Sequence, residues 1–398
     1  MSSSSKMRIL FVDDEPVILE LLRVSVSTMK SEWDPVFAAS AEEGLTRITE
    51  RPFDVVVTDM HLPGMSGAEL LNEVLQRFPA TIRILLSGYV DREEVMRCVG
   101  ATHQFLAKPF RLADLKDSLR RITGLKTRLR SPEIQQLVAR KAVLQTLPAV
   151  YFEILKALRD PDCPVSRLGE VVATDPALSA KLLQLVNSAF LGFGREIISA
   201  DEAVLLLGTD SLRSIVLTWK MLSAFPNATA SGVSLEQVWR HSLRVGRLAQ
   251  RIARREGADL KIIEEAFTAG LLHDVGKLVL AANPAAKYGS VMTRATREKR
   301  SLVEIERGTL QATHAEVGAY LLDLWGLPLP LVEAVALHHE PSRTEEPGFT
   351  PLTAVHAANA LEQERAAEHP PDPLDAEYLA RLNLADHVEA WRQEYQAE

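Results

Sequence analysis

The chain has 398 residues, 46% of them hydrophobic and 25% charged, and its 45 basic and 53 acidic side chains leave a net charge of -8. That length exceeds one ordinary core and points to two domains, and the acidic balance argues against a general nucleic-acid coat or a binder of anionic membrane. The two cysteines, Cys98 and Cys163, belong to no metal-like cluster and fit free thiols in a reducing compartment. No apolar run approaches the roughly 18 residues of a membrane span and the first residues lack a signal-peptide core, so a cytoplasmic protein is expected.

From Met7 onward, short apolar runs alternate with amphipathic stretches. Strands are expected at 8–12, 35–38, 54–58, 82–86 and 104–107. Helical spacing fills the gaps, as in Val17, Leu21, Leu22 and Val24, and again in Leu70, Leu71, Val74 and Leu75. Five strands alternating with helices imply a parallel sheet covered on both faces. Polar groups follow the strands: Asp13 and Asp14 the first, Asp59 the third, Ser87 the fourth and Lys108 the fifth. If the first, third, fourth and fifth strands are neighbours, these groups share one pocket at the carboxyl edge, where chemistry collects in open α/β sheets. Three carboxylates crowd together only with a cation, and a hard divalent ion such as magnesium fits oxygen ligands. The ion and an ammonium can neutralise a phosphoryl group moving onto a carboxylate. Asp59 is then the phosphoacceptor, Asp13 and Asp14 the metal acids, Ser87 a hydroxyl partner of the phosphoryl group and Lys108 its counter-ion.

The motifs Val12-Asp13-Asp14-Glu15, Thr58-Asp59-Met60-His61-Leu62-Pro63-Gly64, Leu86-Ser87-Gly88 and Ala107-Lys108-Pro109-Phe110 resemble the receiver domain of two-component response regulators. The resemblance implies a flavodoxin-like, CheY-like fold of strand order 2-1-3-4-5 over residues 1–125. It also implies phosphate transfer to Asp59 from a sensor histidine kinase or phosphotransfer protein. The main-chain carbonyl of His61 becomes a further magnesium ligand, and Phe105 either a switch residue or a core phenylalanine.

A helix after Phe110, striped by Leu112, Leu115, Leu119 and Ile122, is expected to stop near Gly124. Residues 126–136 are read as a connector helix. Ser131-Pro132 resembles a cap with a first-turn proline, opening the next domain.

Beyond it strand signals give way to helical ones. Asp175-Pro176 reads as a helix start, Ser234 to Gln237 and Thr313 to Glu316 fit the capping box, and Gly326 with Pro328 ends a helix. A bundle of ten or more helices is expected. His241, His273 with Asp274, His314, His338 with His339 and a further candidate, His356, lie in apolar helical surroundings. Buried imidazoles meet one another, meet carbonyls or bind metal, and a His/Asp set suits zinc, iron or manganese.

The segments Asp175 to Leu183, Val186 to Phe190, Ala203 to Gly208, Val238 to His241, Ala269 to Lys277 and Trp325 to Pro328 resemble the HDOD output domain, an all-α, HD-like fold, here spanning 137–361. Active HD-type relatives, which include cyclic-dinucleotide phosphodiesterases, match at His241, His273, Asp274, His314, His338 and His339. Their late aspartate corresponds to Asn359, a poorer metal ligand. The favoured expectation is therefore a phosphorylation-controlled module that binds a downstream signalling protein or a nucleotide, leaning away from an enzyme. The alternative is a metal-dependent phosphohydrolase in which Lys277 steadies developing charge. No DNA-binding motif is recognised, oligomers are compatible with the sequence, and residues 362–398 read as a helical extension packing on the second domain.

Overall fold

The computed structural model describes residues 6–29, 31–87, 101–108, 112–128, 134–135, 137–138, 164, 167–168, 202–208, 212, 233–283, 287–324, 327–366 and 373–396. The chain divides into two compact units, residues 1–147 with 320–327 and residues 148–319 with 328–398.

In the first unit, β1 (Met7–Val12), β2 (Trp33–Ala38), β3 (Val55–Asp59), β4 (Ile82–Ser87) and β5 (Gln104–Ala107) form one sheet of order β2-β1-β3-β4-β5. Every neighbouring pair is parallel. The period-two rule divides the strands cleanly. Leu10, Val12, Val56 and Leu85 join a cluster with Ile48, Leu70, Leu71 and Val74. These last belong to α2 (Ala41–Glu50) and α3 (Gly67–Arg77). The alternating residues Ile9, Phe11, Val55, Val57 and Ile84 are equally buried. Among the remaining described helices, α1 (Pro16–Val26) and α4 (Leu112–Arg128) contact each other, burying Leu22, Val26, Leu115 and Leu119.

Several expectations shift by a residue or two. Asp59 is the last residue of β3 rather than the first beyond it, because its backbone still pairs with Leu86. Helix α4 continues through Gly124 to Arg128; glycine costs a helix only about 1 kcal/mol against alanine, and the flanking residues carry the helix past it. The β4 run also hides a polar residue. Arg83 is fully buried and donates to the carbonyls of Ala101, Thr81 and Pro79 at 2.6, 2.5 and 3.3 Å. The segments at 131–132 and 175–190 and the residues Trp325 and Gly326 lie outside the described residues.

All described elements of the second unit are helical. Its centre comprises α5 (Leu235–Arg255), α6 (Leu260–Leu272), α11 (Leu329–Leu337) and α12 (Pro351–Ala366), which pack on one another. Helix α12 is buried on every side from Pro351 to Glu362, as befits the inner member of a bundle. Between α6 and α11 run α7 (Val275–Ala281), α8 (Tyr288–Glu298), α9 (Leu302–Leu310) and α10 (His314–Leu324). The chain ends with α13 (Ala376–Arg381) and α14 (Val388–Gln396). Trp391 of α14 is fully buried and its Nε1 donates to Glu256 Oε1 at 2.7 Å.

Two close approaches set the bundle. A Cβ on Gly270 of α6 would lie 2.5 Å from the Cα of Gly246 on α5. A Cβ on Gly276 of α7 would lie 1.9 Å from the carbonyl oxygen of His314 on α10. Only glycine allows such backbone contact, and both contacts sit within a few residues of the histidines considered next.

Candidate functional sites

The first site is at the carboxyl edge of the sheet. Parallel pairing of β1 with β3 and of β3 with β4 brings residues after Val12 beside Asp59. The Lys108 ammonium, just past β5, lies 2.5 Å from Asp59 Oδ1 and 3.2 Å from Asp13 Oδ2. Asp59 Oδ2 accepts from the His61 amide at 3.0 Å and Asp13 Oδ1 from the Glu15 amide at 2.9 Å. Burial lifts the Asp13 carboxyl above its ordinary range despite its amide and Lys108 partners. Burial opposes the Lys108 charge, but Asp59 and Asp13 outweigh it and hold the ammonium above its usual value. Asp14 is exposed and, with His61, Ser66, Glu69 and Asn72, lines an open cavity of about 660 Å³ beside this edge. Capping closes the loop here: Ser66 accepts from the Glu69 amide, and Glu69 accepts from the Ser66 amide. Ser87 and Phe105 occupy the expected strands, but their side chains lie outside the described residues.

The second site lies in the helical unit, where residues from five helices and their ends meet. His273 and Asp274 form the turn between α6 and α7; His241 comes from α5, His314 opens α10, and His338 and His339 follow α11. Asp274 stands between two groups. Its Oδ2 is 3.5 Å from His273 Nε2 and 3.7 Å from His241 Nε2, while its Oδ1 is 3.3 Å from His314 Nε2. His339 Nε2 is 2.9 Å from His314 Nε2, and the His338 ring centre is 3.9 Å from that of His339. Potential ligand atoms of His241, His273 and Asp274 lie within 4.8 Å of one another, as do those of His314, His338 and His339.

Backbone and carboxylate partners orient the rings. His273 Nδ1 is 2.7 Å from the Gly270 carbonyl and His338 Nδ1 is 2.8 Å from the Val335 carbonyl, so each ring carries its proton on Nδ1 and turns an Nε2 lone pair inward. His314 is held by a residue the sequence reading missed. Fully buried Glu306 of α9 binds His314 Nδ1 at 2.8 Å, accepts the His314 amide at 2.9 Å and accepts the Tyr288 hydroxyl. Burial alone would raise the Glu306 pKa, but His314 and Tyr288 hold it below the ordinary carboxylate value. Its eight-residue distance from His314 spans a turn between helices, where helical spacing gives no clue.

The electrostatics favour neutral imidazoles around one carboxylate. Burial pushes His241 down to about 3 and His273 to about 4, and it drives His338 well below its usual value. Burial would also raise Asp274, yet His273, Lys277 and the surrounding imidazoles hold it well below the ordinary range. Lys277 donates to Asp274 Oδ2 at 2.7 Å. Asn359 reaches the centre too, its Oδ1 3.1 Å from His241 Nε2. His356 does not join: it binds the His338 carbonyl through Nδ1 at 2.8 Å and accepts the Asp375 amide at 2.9 Å, bracing the backbone behind the ligands.

Asp274 Oδ1 and His338 Nε2 are among the buried atoms that make no hydrogen bond. Such atoms are costly inside a protein unless an ion or water meets them. A set of imidazole nitrogens around a carboxylate, with outer partners fixing the tautomers, has the chemistry of a transition-metal centre.

Comparison with known proteins agrees with both halves. Residues 9–120 match the response regulator receiver domain, and residues 144–341 match the HDOD domain. An uncharacterized protein of Treponema pallidum is 29% identical over 216 residues, covering 53% of this chain and 40% of its own length. The chain thus spans about two fifths of that curated relative. A cyclic di-GMP phosphodiesterase of Thermotoga maritima is 24% identical over 337 residues, 84% of this chain and 71% of that protein. A solved structure from Shewanella amazonensis, named there as a candidate phosphohydrolase, is 26% identical with a TM-score of 0.52, covering 68% of this chain and 95% of that one. No described helix is long and apolar enough to cross a membrane. The chain belongs to the two-component response regulators, with an amino-terminal receiver domain joined to a carboxyl-terminal HDOD domain.

Proposed function

We propose that Asp59 accepts a phosphoryl group from a histidine kinase or phosphotransfer protein, and that this controls a metal-dependent phosphohydrolase centre in the HDOD domain. At the receiver, Lys108 reaches both Asp59 and Asp13, the arrangement needed to neutralise a phosphoryl group as it arrives. Asp13, Asp14, Asp59 and the carbonyl of His61 would hold magnesium there. Incubation with acetyl phosphate and magnesium should add one phosphoryl group to the chain, read by intact mass, and Asp59→Asn should abolish it. Equal modification of that variant would refute the assignment.

The observation that carries the output reading is the pairing of inward Nε2 lone pairs with two buried, unbonded ligand atoms, Asp274 Oδ1 and His338 Nε2. His241, His273, Asp274, His314, His338 and His339 line a centre that would take a divalent transition metal. When bound, that ion supplies water activation and polarisation of a phosphoryl oxygen. Glu306 keeps the His314 Nε2 lone pair available, and Lys277 places a positive charge beside Asp274 that could steady a phosphate oxygen. The Thermotoga relative makes a cyclic dinucleotide the first substrate class to try. Metal-loaded protein should hydrolyse cyclic di-GMP, and His273→Ala should lose at least a hundredfold of that rate.

Asn359 favours a second reading. It sets a neutral amide against His241, and a centre short of a carboxylate can bind metal or nucleotide without turning it over. Metal binding together with saturable nucleotide binding and no hydrolysis would select that regulatory-module reading.

A further inference from the structure

We infer that the HDOD centre is asymmetric and takes one divalent ion, held by His314, His338, His339 and Asp274 Oδ1, while Lys277 and Asn359 complete the adjoining His241–His273 pocket without a metal. This rests on reading the centre as a metal site.

The two pockets share Asp274 but differ in what their atoms lack. In the first, His338 Nε2 and Asp274 Oδ1 are buried with no hydrogen bond. The His314 ring spends its Nδ1 proton on the Glu306 carboxylate, so its Nε2 accepts from His339 Nε2 at 2.9 Å, and only that one proton has to leave His339 Nε2 for an ion to be held there. Three imidazoles and a carboxylate oxygen make the four-ligand set of a divalent transition ion. Glu306 adds negative charge behind it.

In the second pocket the donors and acceptors already close on each other. The ammonium of Lys277 satisfies Asp274 Oδ2 at 2.7 Å. His273 gives its Nδ1 proton to the Gly270 carbonyl, leaving Nε2 as an acceptor. His241 Nε2 lies 3.3 Å from that acceptor and 3.1 Å from Asn359 Oδ1, so one His241 proton serves both. A dication here would displace the ammonium from Asp274 or sit beside it as a like charge. The neutral Asn359 offers no charge in return. Lys277 thus stands where a second cation would otherwise be needed.

The test is metal stoichiometry. Full-length chain carrying Asp13→Asn and Asp14→Asn, so that the receiver contributes no ion, is stripped with chelator, reconstituted with zinc and weighed intact by native mass spectrometry. One zinc per chain is expected. In the same background His241→Ala should keep that ion, His338→Ala should lose it, and Asn359→Asp should raise the count to two, with circular dichroism confirming that each variant is folded. Two zinc ions in the parent, or loss of the single ion in folded His241→Ala but not in folded His338→Ala, would overturn the asymmetry. No zinc in the parent would instead overturn the metal reading itself. If His338→Ala fails to fold, His339→Ala in the same background carries the same expectation, and its keeping the ion while folded would overturn the asymmetry.

Discussion

Glu306 has three partners: the His314 ring, the His314 amide and the Tyr288 hydroxyl. Its charge at the start of α10 is favourable to the exposed amides of a helix N-terminus and fixes the His314 tautomer. Glu306→Gln keeps the size but removes the charge, so zinc affinity should fall roughly tenfold to a hundredfold in a competition titration, as for other outer-shell changes. Unchanged affinity would mean that His314 needs no such support. The histidines of the cluster were legible from their types and motifs. Glu306 and Tyr288 were not, because Glu306 reaches His314 across a turn between helices, Tyr288 reaches only Glu306, and both look in sequence like ordinary surface and core residues. Asn359 was recognised as a departure, but its bond to His241 could only be seen in three dimensions.

At the scale of elements, the two glycine contacts put the clustered histidines in register. Gly246 against Gly270 brings α5 and α6 together one turn or so from His241 and His273, and Gly276 against the His314 carbonyl places α7 on the start of α10. Gly270→Ala must push two backbones apart. Overpacking of this kind costs about 1–3 kcal/mol, and urea unfolding should show a loss of that size together with weaker metal binding. A variant as stable as the parent would mean that the helices separate freely. The strands of the receiver were readable within one or two residues because each is a short apolar run ended by polar chemistry. Helix ends were less so. Gly124 resembled a stop, yet α4 runs through it, since packing of Leu115 and Leu119 outweighs one glycine. Arg83 was equally hidden, a buried cation satisfied by carbonyls inside a strand.

For the whole molecule, the neutral histidines predict an acid sensitivity. In metal-free protein His241 and His273 are held at about 3 and 4 against an ordinary 6.5, so the unfolded chain takes up their protons first. Their contribution to stability is complete above pH 6.5 and is lost as the pH falls from there to about 4 for His273 and about 3 for His241. The urea midpoint of chelated protein should therefore drop between pH 7.5 and pH 5, and His241→Gln should flatten part of that slope. A midpoint that rises on acidification would contradict the neutral-imidazole reading. Fold class and family were legible across the chain because both halves carry motifs whose chemistry is local in sequence. That the six candidate residues of the centre meet was not legible, since they lie far apart in the sequence and only the fold brings them together.

The claim that joins the two domains is that phosphate on Asp59 alters chemistry at the histidine centre. The direct measurement is the rate of cyclic di-GMP hydrolysis by zinc-loaded full-length chain with and without beryllofluoride, a phosphoryl mimic, beside Asp59→Asn. The account predicts a change of about fivefold or more in the parent, the lower end of ordinary allosteric coupling, and none in the variant. Measurable turnover that is identical in all four conditions would contradict it.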